Sequence, residues 1–149
     1  MSLQEKVMSE MKVAMKAKNS VALESLRAIK SAILLAQTDK GAGGELSEED
    51  EVKLVQKLVK QRKDSATIFT EQGRDDLAAP ELAQVAVIEK FLPEQLSEEE
   101  IEKVVVQTIE TTGASGMKDM GKVMGMVSKA LAGQADGKTI SNIVKQKLA

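Results

Sequence analysis

The segment Gly116-Met117-Lys118-Asp119-Met120-Gly121-Lys122-Val123 sets two lysines in a glycine-bounded turn. It fits G-x-x-x-x-G-K, the pattern of a loop whose amides and lysine cradle phosphates. Val123 stands where such a loop needs a Ser or Thr hydroxyl for magnesium, and the pattern before it is helical, where a P-loop follows a strand. Magnesium-nucleotide chemistry is therefore not expected. Exposed amides at a helix start, beside Lys118 and Lys122, remain able to hold one phosphate of a larger ligand.

Gly121 and Gly125 lie four residues apart, on one face of a helix. Each costs about 1 kcal/mol against alanine in a helix interior. Two compensations are open: close approach of another helix, or close approach of a nucleic-acid backbone. A second basic group, Lys57, Lys60, Arg62 and Lys63, occupies one helical stretch, and Arg27 and Lys30 could extend it. Arg62 falls within an apolar stripe. Its planar fork suits a carboxylate or phosphate, and an internal ion pair with Asp64 or a neighbouring glutamate is expected.

Covalent and metal chemistry find little support. The chain has neither Cys nor His, so the thiolate nucleophile, the usual general base and the usual metal ligand are all missing. Ser115 has no histidine to activate it, and Lys118 or Lys122 would need desolvation to serve instead. The carboxylate runs Glu48 to Glu51 and Glu98 to Glu100 each open a helix, where negative charge complements the dipole. No catalytic residue, metal or cofactor is expected. Phe69 and Phe91 are the only aromatic residues, too few for a base-stacking platform.

The elements that must position these residues are helical throughout. Ser2 and Glu5 form a capping box for a first helix carrying Leu3, Val7, Met8, Met11 and Met15. A second helix follows Asn19 and Ser20, with Leu23, Leu26, Ile29, Ile33 and Leu34 on one face. Lys40 to Gly44 reads as a flexible glycine loop. Ser47 caps a long third helix with Val52, Val55, Val59, Arg62, Ala66 and Phe69, ended by Gly73. A fourth holds Leu77, Leu82, Val85, Ile88 and Leu92, and Pro80 either kinks it or begins its main part. Pro93 to Ser97 is a boundary, and Ser97 with Glu100 forms another capping box. Three shorter helices follow, marked by Ile101, Val104, Val105 and Thr108, then Met120, Val123, Met124, Val127 and Leu131, then Ile140, Ile143, Val144 and Leu148. Methionines at this spacing read as core, with a partner groove as the alternative. The expected fold is all-α, with a helical bundle over residues 1–93 and a three-helix domain over 94–149.

Of 149 residues, 42% are hydrophobic and 30% charged, with a net charge of −2. That near-neutral total hides a basic end. From residue 117 onward, Lys118, Lys122, Lys129, Lys138, Lys145 and Lys147 face only Asp119 and Asp136. No signal-peptide pattern, membrane-spanning stretch or lipidation motif is visible, so a cytoplasmic protein without a membrane partner is expected.

Four blocks carry a family resemblance: Lys60-Gln61-Arg62-Lys63-Asp64-Ser65, Phe91 to Ser97, Asp119-Met120-Gly121-Lys122-Val123-Met124-Gly125, and Ala135-Asp136-Gly137-Lys138. In this order they resemble the YqeY family of small bacterial cytosolic proteins. That family is similar to the C-terminal tail domain of the B subunit of glutamine-dependent aminoacyl-tRNA amidotransferases. The resemblance covers almost the whole chain and implies an all-helical two-part fold. It implies tRNA binding more directly than catalysis, although family members are often labelled carbon–nitrogen ligases with glutamine as amide donor. Phe91 stands where the family usually has Tyr, and Gln134 where a basic residue is common.

The function expected is a non-catalytic RNA-binding module, with tRNA as partner. Gly121 and Gly125 would approach the backbone, and Lys118, Lys122, Lys129, Lys138 and Lys145 would contact phosphates. Arg27, Lys60, Arg62 and Lys63 form a candidate second basic patch. The alternatives are an amide-transfer enzyme or a component of one, and a protein-interaction adaptor.

Overall fold

The computed structural model describes residues 2–41 and 44–149. Ala42 and Gly43, the middle of the expected glycine loop, lie outside the described residues. Seven α-helices and two short 3-10 turns make up the regular structure, and no strand occurs among the described residues. The helices are α1 (Leu3–Lys16), α2 (Ser20–Asp39), α3 (Glu48–Glu71), α4 (Asp75–Ile88), α5 (Glu98–Thr112), α6 (Met120–Ala130) and α7 (Gly137–Leu148). The all-α expectation holds. The chain divides into two compact units, Met1–Leu92 and Pro93–Ala149.

Helix starts follow the local capping chemistry. The Ser2 hydroxyl accepts from the Glu5 N–H at 3.2 Å, and the Ser2 N–H donates back to the Glu5 carboxylate at 3.0 Å. Ser47 and Asp50 repeat this box on α3. Asn19 caps α2 by accepting from the Ala22 N–H at 3.1 Å. Ser97 departs from expectation. Its hydroxyl accepts from the Glu100 N–H, but it donates its own proton to the Glu100 carboxylate at 3.1 Å. The carboxylate is satisfied by the hydroxyl, so the reciprocal backbone bond of a full capping box is not made.

Two helix ends in the first unit use the same left-handed turn with different residues. After α3, Gly73 takes φ +72°, and the Arg74 and Gly73 N–H groups donate to the Phe69 and Thr70 carbonyls. After α1, Lys18 takes φ +53°, and the Asn19 and Lys18 N–H groups donate to the Ala14 and Met15 carbonyls. Both are Schellman motifs, in which glycine usually fills the left-handed position. Lys18 is the only non-glycine residue with positive φ among the described residues.

Short connections make α1 and α2, and likewise α3 and α4, packed neighbours. α2 also packs on α3 and α4. Their shared core includes Val7, Leu26, Ile29, Val55 and Ile88. Burying each such side chain contributes about 1.5–3 kcal/mol. The Leu3 N–H donates to the Glu51 carboxylate at 2.9 Å, fixing the start of α1 to the first turn of α3.

Several stripe residues lie outside this core. Met8, Met15, Leu34, Leu77 and Leu82 are exposed. Met8 and Met15 sit about a third of a turn from the line of Leu3, Val7 and Ala14, at the margin of the packed face. Pro80 is the sixth residue of α4, so it does not begin the main part of the helix. The helix runs through it, and the Asp76 carbonyl loses the partner a normal residue would supply.

In the second unit α5, α6 and α7 pack on one another. Val105, Val123, Val127, Ile140 and Val144 form the centre of its core. The segment entering α5 is tied into this unit. The Leu96 N–H donates to the Gln134 carbonyl at 2.9 Å, and the Gln95 amide donates to the Gly133 carbonyl at 2.7 Å.

Candidate nucleic-acid interface

Val123 and Val127 fix the phase of α6, because both are fully buried. At about 100° per residue, Gly121, Gly125 and Lys129 then fall on the opposite, outward face, with Lys122 at its margin. All four are exposed. A Cβ built on Gly121 or Gly125 meets no atom within 4 Å. This corrects one expectation: among the described residues, no other helix approaches these glycines. Their conformational cost is not offset by packing within the chain.

The same reasoning applies to α7. Ile140, Val144 and Leu148 are buried, which places Lys138 and Lys145, seven residues apart, together on the outward face. Lys118 is exposed in the 3-10 turn Met117–Asp119 that leads into α6. Lys118, Lys122, Lys129, Lys138 and Lys145 make no ion pair among the described residues. Lys147 differs, pairing with Glu102 of α5 at 2.5 Å. It sits toward the packed side of α7, which is why it is drawn to α5 rather than to the outward stripe. On α5 itself, Glu98, Glu99, Glu100, Glu102 and Glu110 are exposed. The second unit therefore carries most of its negative charge on α5 and most of its positive charge on the other two helices.

The turn before α6 is less suited to a phosphate than its sequence suggests. The Ser115 N–H already donates to the Asp119 carboxylate at 2.9 Å. A negative charge thus occupies the place where the helix-start reading would set an anion. The sequence signal for this closure was Asp119 itself, four residues beyond Ser115 across Gly116. The outward lysines, rather than the turn amides, are the groups open to a ligand.

The second basic patch is largely engaged within its own unit. Lys60 pairs with Asp64 at 2.9 Å, and Lys63 with Glu89 at 3.2 Å. Arg62 is half-buried. Its Nε donates to the Gln84 side chain at 2.7 Å and its guanidinium also donates to the Leu58 carbonyl at 3.2 Å. The expected ion pair for Arg62 is replaced by a neutral clamp between α3 and α4, since Asp64, two residues on, lies on a different face of α3. Arg27 and Lys57 of this group are exposed without a bonded partner among the described residues. No cluster of acidic side chains among the described residues is arranged to hold a metal ion, and no helix among them is long and apolar enough to cross a membrane.

The chain is 35% identical over 104 residues to a glutamyl-tRNA(Gln) amidotransferase subunit of Thermococcus gammatolerans, covering 67% of this chain but 17% of that protein. It is 30% identical over 144 residues to the altered inheritance of mitochondria protein 41 of Pyrenophora tritici-repentis, covering 95% of this chain and 78% of the relative. The corresponding protein of Clavispora lusitaniae is 40% identical over 98 residues, covering 64% of this chain and 56% of the relative. These relatives reach beyond the bacterial proteins that the resemblance implied. The Yqey-like protein family model matches residues 4–148, and the chain belongs to that family.

Proposed function

We propose that the chain is a non-catalytic RNA-binding module whose partner is tRNA, held by shape and backbone charge. The observation that carries this reading is the outward face of α6. Two glycines leave open space there, and the exposed Lys122 and Lys129 beside them have no ion-pair partner among the described residues. A backbone without Cβ atoms lets a sugar–phosphate chain come close, and the lysines supply its counter-charge. Phosphate contacts of this kind position a nucleic acid without reading bases. Lys138 and Lys145 extend the footprint along α7. The relation to an amidotransferase named for glutamyl-tRNA(Gln) supports tRNA as the RNA. Cytoplasmic location is part of the proposal, although the fungal relatives are named mitochondrial.

The test is binding to a bulk tRNA pool across a salt series, with Lys122→Glu in parallel. With about four phosphates neutralised, affinity falls about a hundredfold between about 50 and 200 mM salt. Lys122→Glu weakens binding and flattens the slope. A flat salt response, or no binding at low salt, overturns the reading.

A further inference from the structure

The turn between α1 and α2 carries a charge pattern that the RNA reading does not use. Between Glu10 and Glu24 the sequence has no acidic residue, while Lys12, Lys16 and Lys18 fall within it. All three lysines are exposed and make no ion pair among the described residues. Around them stand Val13, Met15 and Val21, exposed to 58%, 60% and 40%. On α1, Lys12 and Lys16 lie one turn apart, with Val13 and Met15 to either side of them.

Lys18 adds a second, independent observation. Every other positive-φ position among the described residues is glycine: Gly41, Gly73, Gly113, Gly116 and Gly133. The matching turn after α3 is built with Gly73. A lysine in the left-handed region is disfavoured relative to glycine. The chain therefore keeps a positive charge at the tip of this hairpin against its local conformational preference.

We propose that the α1–α2 tip is a docking surface for an anionic lipid bilayer. The tip is the end of a helical hairpin, so it needs a flat or yielding partner rather than a pocket. Lysines supply attraction to acidic headgroups, and the valines and methionine give the apolar contact that headgroup boundaries accept. A phosphate backbone would gain nothing from those three apolar side chains. Such peripheral contact requires no membrane span.

Flotation with vesicles tests this, using phosphatidylcholine alone against phosphatidylcholine mixed with phosphatidylserine, at low and high salt. The full chain binds only the acidic vesicles, and less at high salt. Each juxtamembrane lysine contributes about a fivefold factor in partitioning, so replacing all three with glutamine lowers it about a hundredfold. Val13→Ser with Met15→Ser lowers it at unchanged charge. Lys18→Gly separates binding from folding: partitioning falls about fivefold while the melting temperature rises. The proposal is overturned if the chain ignores acidic vesicles at low salt, or if binding survives the glutamine variant. It is also overturned if the serine variant binds as wild type, or if the tip variants weaken tRNA binding while vesicles remain unbound.

Discussion

Alanine at Gly125 and Gly121 should stabilise the second unit and impair its proposed function. Gly125 is the sixth residue of the 11-residue helix α6, so it bears the full interior cost of glycine. Gly121 is the second residue, where a frayed first turn reduces that cost. A new Cβ at either site meets no atom within 4 Å, so no steric term opposes the gain. Gly125→Ala should add about 1 kcal/mol and Gly121→Ala about half that. For a unit of this size, about 1.5 kcal/mol raises the melting temperature by about 6–12 °C. Circular dichroism at the helical band is the suitable signal, because the chain has neither Trp nor Tyr. The tRNA titration is then repeated on the double variant at one salt concentration. Higher stability with weaker binding agrees with a backbone seated on the glycines. Lower stability for Gly125→Ala would refute the reasoning, because it would mean that the face is covered. Higher stability with unchanged tRNA affinity would leave the glycines without a role in binding.

Pro80→Ala should raise the stability of the first unit by about 1–3 kcal/mol, since it restores a donor for the Asp76 carbonyl in α4; chemical denaturation measures this. Arg62→Ala should cost about 1–2 kcal/mol by removing the clamp to Gln84, whereas Lys60→Ala should change stability by less than about 0.5 kcal/mol. Both should bind tRNA as wild type, and a large loss for either would return the second basic patch to the interface. The Asp50 carboxyl is held below its ordinary value of 3.8, first by the Lys40 hydrogen bond and then by Ser47. A depressed carboxylate stabilises the fold above its ordinary value, and that contribution disappears as pH falls through the folded value. The melting temperature should therefore drop more steeply in acid for wild type than for Asp50→Asn, as thermal scans below about pH 4 would show.

What the sequence revealed was mostly local chemistry. Ser2, Asn19 and Ser47 mark helix starts because the groups that satisfy them lie three residues away. Val123 and Val127 reveal the phase of α6 because burial follows a period of about 3.6 residues. The rest depends on partners distant in the chain. Gln84, 22 residues from Arg62, could not be singled out among the polar groups available. Lys147 counts toward the basic C-terminal end in the sequence, and only the packing of α7 on α5 brings Glu102 to it. Met8 and Met15 satisfy helical spacing loosely, and only the width of the packed face decides that they stay outside it. For the glycine pair the sequence left two readings, and the empty space around both positions removed the one that invoked a neighbouring helix of this chain.

The division of charge within the second unit has a kinetic consequence. Acidic α5 and the basic faces of α6 and α7 give this small body an electrical axis. In the field of a polyanion it is turned before contact, lysines leading and glutamates trailing. Encounters then begin closer to the productive orientation than random collision would allow. Loss of a single outward lysine should consequently slow arrival and change its salt dependence, with departure affected less.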